Sequence, residues 1–167
     1  YCSSRGILLV YGPSKNKVDA INRDVYAFQQ PRWDILVNVS DDMEFLYRGF
    51  DVDIRKEFQN GLDWFVHFPD NNREDVCTLS ILGREYYDRL KYIYYPGYIS
   101  VCCDEDATEQ AKAMGKYKFN CKVIVKHKHP AYGTAEWDAL YVRNEAPENY
   151  ENDQKTLITR RQVKFLQ

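Results

Sequence analysis

The sequence predicts an α/β protein with a mostly parallel central sheet flanked by helices, built as one domain over residues 1–167. Two observations carry this prediction. An apolar run at 6–11, an apolar stripe at helical spacing over 18–28 and a second apolar run at 34–39 follow one another in the order of a right-handed βαβ unit. Apolar runs and helical stripes then alternate along the rest of the chain, as expected when helices cover a sheet.

The individual elements follow from apolar spacing and from terminating residues. Pro31 ends the first helix, and Ser14 is its predicted N-cap. No internal repeat, low-complexity tract or domain linker interrupts the pattern. Further helices are predicted at 49–60, 84–90, 105–114 and 153–166, with apolar, strand-like stretches at 62–68, 76–82 and 121–125.

Composition excludes several classes of protein. The 23 Lys and Arg against 25 Asp and Glu give a net charge of -2, which argues against a surface that coats nucleic acid. The apolar run at 7–11 is far shorter than the roughly 20 residues of a membrane span. The five cysteines are odd in number and include no CxxC pair, which predicts free, mostly buried thiols and a cytoplasmic location.

Two adjacent acids, Asp41 and Asp42, come directly after the predicted strand at 34–39. Ligands bind beyond the carboxyl ends of strands in parallel α/β sheets, and two neighbouring carboxylates repel each other unless a cation or a sugar hydroxyl compensates. A cation or nucleotide site is therefore one interpretation of the pair. A solvated turn or a helix cap is the other.

Two histidines, His127 and His129, follow the strand-like stretch at 121–125. Imidazole together with carboxylate suits a divalent transition ion such as Mn²⁺. An exposed loop pair is the alternative interpretation of the same motif.

Three consecutive acids, Asp104, Glu105 and Asp106, stand at the start of the predicted helix at 105–114. Acids at this position are stabilised by the helix dipole, so capping alone explains them. A carboxylate held at a rigid helix end is also suited to act as a general base toward an incoming hydroxyl.

Lys15 and Lys17 lead into the first helix, which also contains Asn22. Free backbone N–H groups and two ammonium groups suit a diphosphate, although the spacing is not that of a Walker loop. A solvated helix start is the alternative.

Taken in order, these motifs resemble the GT-A glycosyltransferases, in particular the inverting family 2-like enzymes. The resemblance rests on the turn and helix at 12–22, the strand that enters Asp41 and Asp42, the acidic start of a helix that ends at Gly115, and a histidine after the next strand. It covers most of the chain, and the joint order of these short motifs carries it.

The resemblance implies a GT-A-like fold that lacks its first strand/helix unit. Family members open with a strand and loop that hold the nucleotide base, and nothing similar precedes Gly6. A chain beginning with Tyr1 is therefore expected to be N-terminally incomplete. The acidic motif also reads Asp-Asp-Met here, where Asp-x-Asp is more usual in the family.

The resemblance further implies roles for the candidate residues. Asp42 is expected to bind a divalent metal, Mn²⁺ or Mg²⁺, with His129 or His127 as the later ligand. Asp41 is expected to contact the nucleotide ribose or the waters of the ion. The nucleotide-sugar site is completed by these residues of the first helix and its approach: Lys15, Lys17 and Asn22.

The catalytic acids and the acceptor pocket are also assigned through the resemblance. Glu105 and Asp106 resemble the catalytic acid pair, with Asp106 as the expected base and Asp104 as the alternative. Three aromatic residues are interpreted either as part of an acceptor pocket or as core: Trp64, Tyr94 and Tyr95.

The predicted function is metal-dependent, inverting transfer of a sugar from a nucleoside-diphosphate sugar to a hydroxyl of a glycan or other acceptor. The open alternatives are a GT-A nucleotidyltransferase, a non-catalytic glycan- or partner-binding domain that uses its aromatic residues, and a metal-dependent hydrolase. No nucleic-acid partner and no transmembrane segment are expected, and the oligomeric state is left open.

Overall fold

The computed structural model describes residues 10–27 and 33–165, and their arrangement is mixed α/β. The helices are α1 (Lys17–Ala27), α2 (Phe50–Glu57), α3 (Arg84–Leu90), α4 (Cys103–Ala113), α5 (Ala139–Asn144) and α6 (Pro147–Gln162), with a 3₁₀ turn at Pro130–Tyr132. The strands are β1 (Ile35–Val37), β2 (Met43–Phe45), β3 (Phe65–His67), β4 (Ile81–Gly83), β5 (Tyr117–Phe119) and β6 (Val125–His127).

The strands form a sheet of four in the order β1-β4-β3-β5 and a separate pair, β2-β6. β4 is antiparallel to both β1 and β3, whereas β5 is parallel to β3. The prediction of a mostly parallel sheet is therefore wrong, because one of its three strand pairs is parallel. The physical reason lies in the connection 68–80, which contains no helix: a parallel return needs a long crossover, usually helical.

The two faces of the larger sheet are buried in different cores, as the alternation of side chains along a strand requires. Leu36, Leu82 and Phe65 face the core that also holds apolar side chains of α1, α3, α4 and α6. Ile35, Ile81 and Val66 point the other way, into the core shared with α2 and the β2-β6 pair. Helices thus cover one face, and a helix with a small sheet covers the other.

Most of the predicted helices are confirmed, with changes at their ends. Asn16 caps α1 in place of the predicted Ser14, because its Oδ1 accepts the Asp19 N–H at 2.8 Å. The last helix begins at Pro147 and not near 153, which fits the preference of proline for the first helical turn.

Two predicted strands change. The predicted strand at 6–11 lies mainly outside the described residues, and Val10 and Tyr11 are described outside any strand. The strand predicted at 121–125 is replaced by β5 before it and β6 at its end, separated by a polar turn. Asn120 Oδ1 accepts the Lys122 N–H in that turn, which ends β5 and lets the chain cross to the smaller sheet.

Within the described residues, none of the helices combines the length and the apolar character that a membrane span needs.

Candidate functional site

The β2-β6 pair brings Asp42 and His127 together. Asp42 lies in the turn between β1 and β2, and His127 is the last residue of β6. The ladder pairs Met43 with His127, and the Lys128 N–H donates to the Asp42 carbonyl at 2.9 Å. Two residues that are 85 positions apart in the chain thereby become neighbours at the carboxyl end of β1.

His127 lies between two carboxylates. Its Nδ1 is 3.0 Å from Asp70 Oδ2, and its Nε2 is 3.2 Å from Asp42 Oδ2. Carboxylates accept, so both ring nitrogens donate and the ring is held as an imidazolium. Burial favours the neutral ring, but the hydrogen bonds to Asp42 and Asp70 prevail and raise the pKa of His127 to about 9.

Asp70 is the buried anchor of this cluster. Its Oδ1 accepts the backbone N–H groups of Asn72 and Arg73, each at 2.9 Å, and the Thr78 hydroxyl donates to its Oδ2 at 2.8 Å. Burial raises the pKa of the Asp70 carboxyl, and these bonds together with His127 more than reverse that effect, bringing it to about 2. Asp70 is therefore a fixed anion that orients the imidazole.

Asp42 keeps one oxygen without a protein partner. Its Oδ2 accepts from His127 and from the Tyr141 hydroxyl, while its Oδ1 is buried and makes no hydrogen bond. Burial opposes ionisation, yet the bonds from His127, Tyr141 and the Ser40 side chain hold the pKa of Asp42 well below its usual range. A buried, ionised oxygen with no donor is a feature that a bound cation or ligand would satisfy.

His129 lies beside this cluster. Its ring centroid is 5.4 Å from that of His127 and 5.0 Å from that of Tyr141. Its Nδ1 accepts the Ala131 N–H at 3.2 Å, which leaves Nε2 to donate to Glu145 Oε1 at 2.8 Å. The structure therefore brings together three residues predicted as metal ligands: Asp42, His127 and His129.

The described residues contain no group of three His, Cys, Asp or Glu side chains positioned to hold a metal ion together. Such a group is not required of a Mg²⁺ or Mn²⁺ site that serves a nucleotide. These ions are often held by one or two carboxylates, with waters and substrate phosphates completing the shell. The unpartnered Asp42 Oδ1 beside the His127 imidazole fits an ion held in that way.

The three acids of α4 have different surroundings. Asp106 is fully buried; Arg160 donates to its two oxygens at 3.0 and 3.2 Å, and Tyr98 donates to Oδ1 at 3.0 Å. Glu105 forms an exposed ion pair with Arg161. The expected base, Asp106, is thus enclosed in an internal ion pair that joins α4 to α6.

Asp104 differs from Asp106 in its surroundings. Its side chain is half-buried at the start of α4, and its Oδ1 accepts only the adjacent Glu105 N–H at 2.9 Å. Burial raises the pKa of the Tyr132 hydroxyl, and the charges of Asp70 and Asp104 add to this effect against that of Arg73. The charges of Asp104 and Asp70 therefore both act on the hydroxyl of Tyr132.

The predicted nucleotide-binding residues are dispersed. Asn22 uses its amide to hold the loop at 93–94: its Nδ2 donates to the Tyr94 carbonyl at 2.7 Å, and its Oδ1 accepts the Ile93 N–H at 3.0 Å. Lys15 lies with Asn22 along a hollow whose lining includes neither Asp42 nor Asp104. Asn22 is thus a structural residue of the α1 contact.

Lys17 and Asp41 lie closer to the cluster. Burial raises the pKa of the Cys103 thiol and the Lys17 charge opposes that rise, so Lys17 lies near the N-terminus of α4. Asp41 is exposed. Burial and the hydrogen bond to Asp42 raise the pKa of Tyr141, and the negative charge of Asp41 raises it further. Lys17 therefore lies near the start of α4, and Asp41 lies near Tyr141.

Sequence reasoning did not single out Asp70, Tyr141 and Glu145. Asp70 stands in the Pro69–Asn72 turn, which the sequence marks as a loop after a strand, the same context that singled out Asp42. Tyr141 and Glu145 carry no such local signal, because they reach the cluster from α5 and its C-terminal end.

We expect metal-free protein to lose up to about 3 kcal/mol of unfolding free energy between pH 6.5 and about 9 through His127. The raised pKa means that the folded state binds this proton more tightly than the unfolded state. The stabilisation is therefore complete below pH 6.5 and is lost as the pH rises through about 9. Denaturant titrations across this range measure the loss.

His127→Gln is expected to abolish most of that alkaline loss, whereas His129→Gln, which leaves the Asp42–His127–Asp70 contacts in place, is expected to retain it. Equal pH dependence in the wild type and in His127→Gln contradicts the imidazolium assignment.

Comparison with known proteins adds no relative, since no family model, no curated protein and no solved structure matches the chain.

Proposed function

We propose that this chain is a metal-dependent, inverting glycosyltransferase-like domain of GT-A type, which transfers a sugar from a nucleoside-diphosphate sugar to an acceptor hydroxyl. One observation carries the proposal: Asp42, in the turn that enters β2, presents a buried carboxylate oxygen without a hydrogen-bond donor next to His127. A carboxylate oxygen of this kind is one that a bound cation would satisfy.

Asp42 would hold the divalent ion, with His129 adjacent, and His127 would join as a ligand after losing its Nε2 proton, because an imidazolium has no free lone pair for a metal. The ion supplies charge neutralisation of the departing nucleoside diphosphate. Asp70 fixes the His127 ring through Nδ1, so that Nε2 faces Asp42. Asp41, exposed beside the cluster, would meet the ribose or the waters of the ion, and Lys17 would meet a phosphate.

The general base is assigned to Asp104, the alternative considered with Asp106. A base has to reach the proton that it removes. Both oxygens of Asp106 are bound by Arg160 in the interior, so Asp106 instead positions α4. Asp104 lies two residues earlier, in the same first turn of that helix, is half-buried and accepts a local N–H through Oδ1, which leaves carboxylate lone pairs for an acceptor hydroxyl.

A cytoplasmic location is part of the same proposal, and it is supported by the free thiols at Cys77, Cys102, Cys103 and Cys121.

Thermal-shift measurements with nucleotides and Mn²⁺ test the function. We expect one nucleoside diphosphate, or its sugar conjugate, to raise the Tm only when Mn²⁺ is present, because ligands that bind the folded state stabilise it. The same nucleotide with a metal chelator is the matched control.

A larger metal-dependent rise in Tm with nucleoside triphosphates than with nucleotide sugars would favour a nucleotidyltransferase function instead. The absence of any nucleotide shift, with or without Mn²⁺, would contradict both transferases.

A further inference from the structure

Four aromatic rings form a continuous cluster from His129 outward, which we call the aromatic ledge: His129, Tyr132, Trp137 and Tyr141. The His129 centroid is 6.0 Å from that of Tyr132 and 5.0 Å from that of Tyr141, and Trp137 lies 6.2 Å from Tyr141. All of these contacts are edge-to-face, so each pair covers one ring face only in part and leaves the rings unstacked. The ledge adjoins Asp42 through the Tyr141 hydroxyl.

The outer part of the ledge is open to solvent. Tyr132 is 46% exposed and Trp137 is 54% exposed, although both are large rings that usually find cover. Among the three aromatic residues suggested by the sequence, by contrast, Tyr94 is buried, Tyr95 contacts the Arg160 guanidinium at 4.0 Å and Trp64 is half-buried with Lys118 over its ring at 4.5 Å. The ledge therefore offers a ligand more open aromatic surface than these three residues do.

Acidic groups border the ledge. Asp41 is exposed next to Tyr141, and Asp138, which caps α5, also adds to the field on that phenol. Glu136 immediately precedes Trp137 and is exposed, while Lys128 is paired with Glu44. Carboxylates at this density disfavour a phosphate-bearing ligand, and they accept hydrogen bonds from hydroxyl groups.

We propose that Tyr132 and Trp137 form the binding surface for a sugar residue of the acceptor, an inference that rests on the glycosyltransferase function proposed above. A pyranose ring has one or two faces of C–H groups, which pack on an aromatic face, and an edge of hydroxyl groups, which donate to carboxylates. The ledge offers that combination beside the Asp42 cluster, which it joins through the Tyr141 hydroxyl. The acceptor is accordingly a neutral saccharide or glycoconjugate.

Saturation-transfer NMR with the chain and a panel of methyl glycosides, without metal or nucleotide, tests this surface. The panel consists of the methyl glycosides of glucose, galactose, mannose and N-acetylglucosamine. We expect at least one to bind, Trp137→Ala and Tyr132→Ala each to weaken its Kd by about tenfold, and Trp137→Phe to retain most of the binding. Tyr26→Ala, an exposed aromatic residue of α1, is the matched control and is expected to bind as the wild type does.

The outcomes separate this inference from the function on which it rests. A chain that gives the Mn²⁺-dependent nucleotide shift but binds none of the glycosides overturns the sugar surface alone. Glycoside binding that persists in both Trp137→Ala and Tyr132→Ala overturns the location, and loss of nucleoside binding in those variants assigns the ledge to the base of the donor. If the chain binds a glycoside at Trp137 but binds no nucleotide, the proposed sugar-binding surface stands and the proposed transferase function is contradicted.

Discussion

Replacing Asp42 by asparagine is expected to lower metal-dependent sugar transfer by about 10²–10³-fold in kcat/KM. The substitution removes the negative charge that would hold the divalent ion while keeping the size of the side chain. The amide oxygen of asparagine can still accept from His127 Nε2 and from the Tyr141 hydroxyl, so the β2-β6 turn retains its contacts. Steady-state transfer from the nucleotide sugar that gives the Mn²⁺-dependent thermal shift is the measurement.

The control for charge alone is Asp51→Asn. Asp51 is an exposed acid in the first turn of α2, paired with Arg55, and it belongs to no cluster near Asp42. We expect this variant to transfer sugar at the rate of the wild type. If Asp42→Asn is folded, as judged by denaturation, and its activity is within about twofold of the wild type, the assignment of the ion to Asp42 is contradicted.

The type of most elements could be predicted because their apolar residues are close in sequence, whereas the short elements β2, β5 and α5 were not predicted. The steps of three and four in α1 and the short apolar run at β1 each define one buried face locally. The direction of β4 carries no such local signal, since it depends on whether the chain returns through a helix or a loop. A prediction built on alternating elements therefore assigned too many parallel pairs.

In the candidate site, too, some residues could be predicted from the sequence and others could not. Asp42, His127 and His129 stand next to strands, and the resemblance to GT-A enzymes, rather than that position, implied that they meet. Asp70 and Tyr141 complete the cluster through contacts across 57 and 99 residues, which no spacing rule reveals. The choice among the acids of α4 depended on Arg160, a residue within a largely polar terminal helix whose guanidinium turns inward.

Asp104→Asn and Asp106→Asn are expected to have different effects, the first on the catalytic rate and the second on stability. Asp104→Asn is expected to lower kcat by about 10²–10⁴-fold, the usual contribution of a general base, with an unfolding free energy close to that of the wild type. Asp106→Asn is expected to cost about 3–5 kcal/mol of stability, because it leaves the buried Arg160 guanidinium without a counter-charge. Initial rates and denaturant titrations of the two variants measure both quantities.

The buried Asp106–Arg160 ion pair allows a further test of the roles assigned to Asp104 and Asp106. If Asp106 acts only by holding α6, removing both charges in Asp106→Asn with Arg160→Met is expected to recover stability relative to Asp106→Asn, because no unpaired buried charge remains. Folded double-variant protein is then expected to transfer sugar with a kcat far above that of Asp104→Asn. The reverse order, with a stable and inactive Asp106→Asn beside an active Asp104→Asn, would return the base to Asp106 and require the Arg160 pair to open during turnover. The closed geometry, in which Arg160 and Tyr98 occupy the Asp106 carboxylate within a fully buried space, favours Asp104.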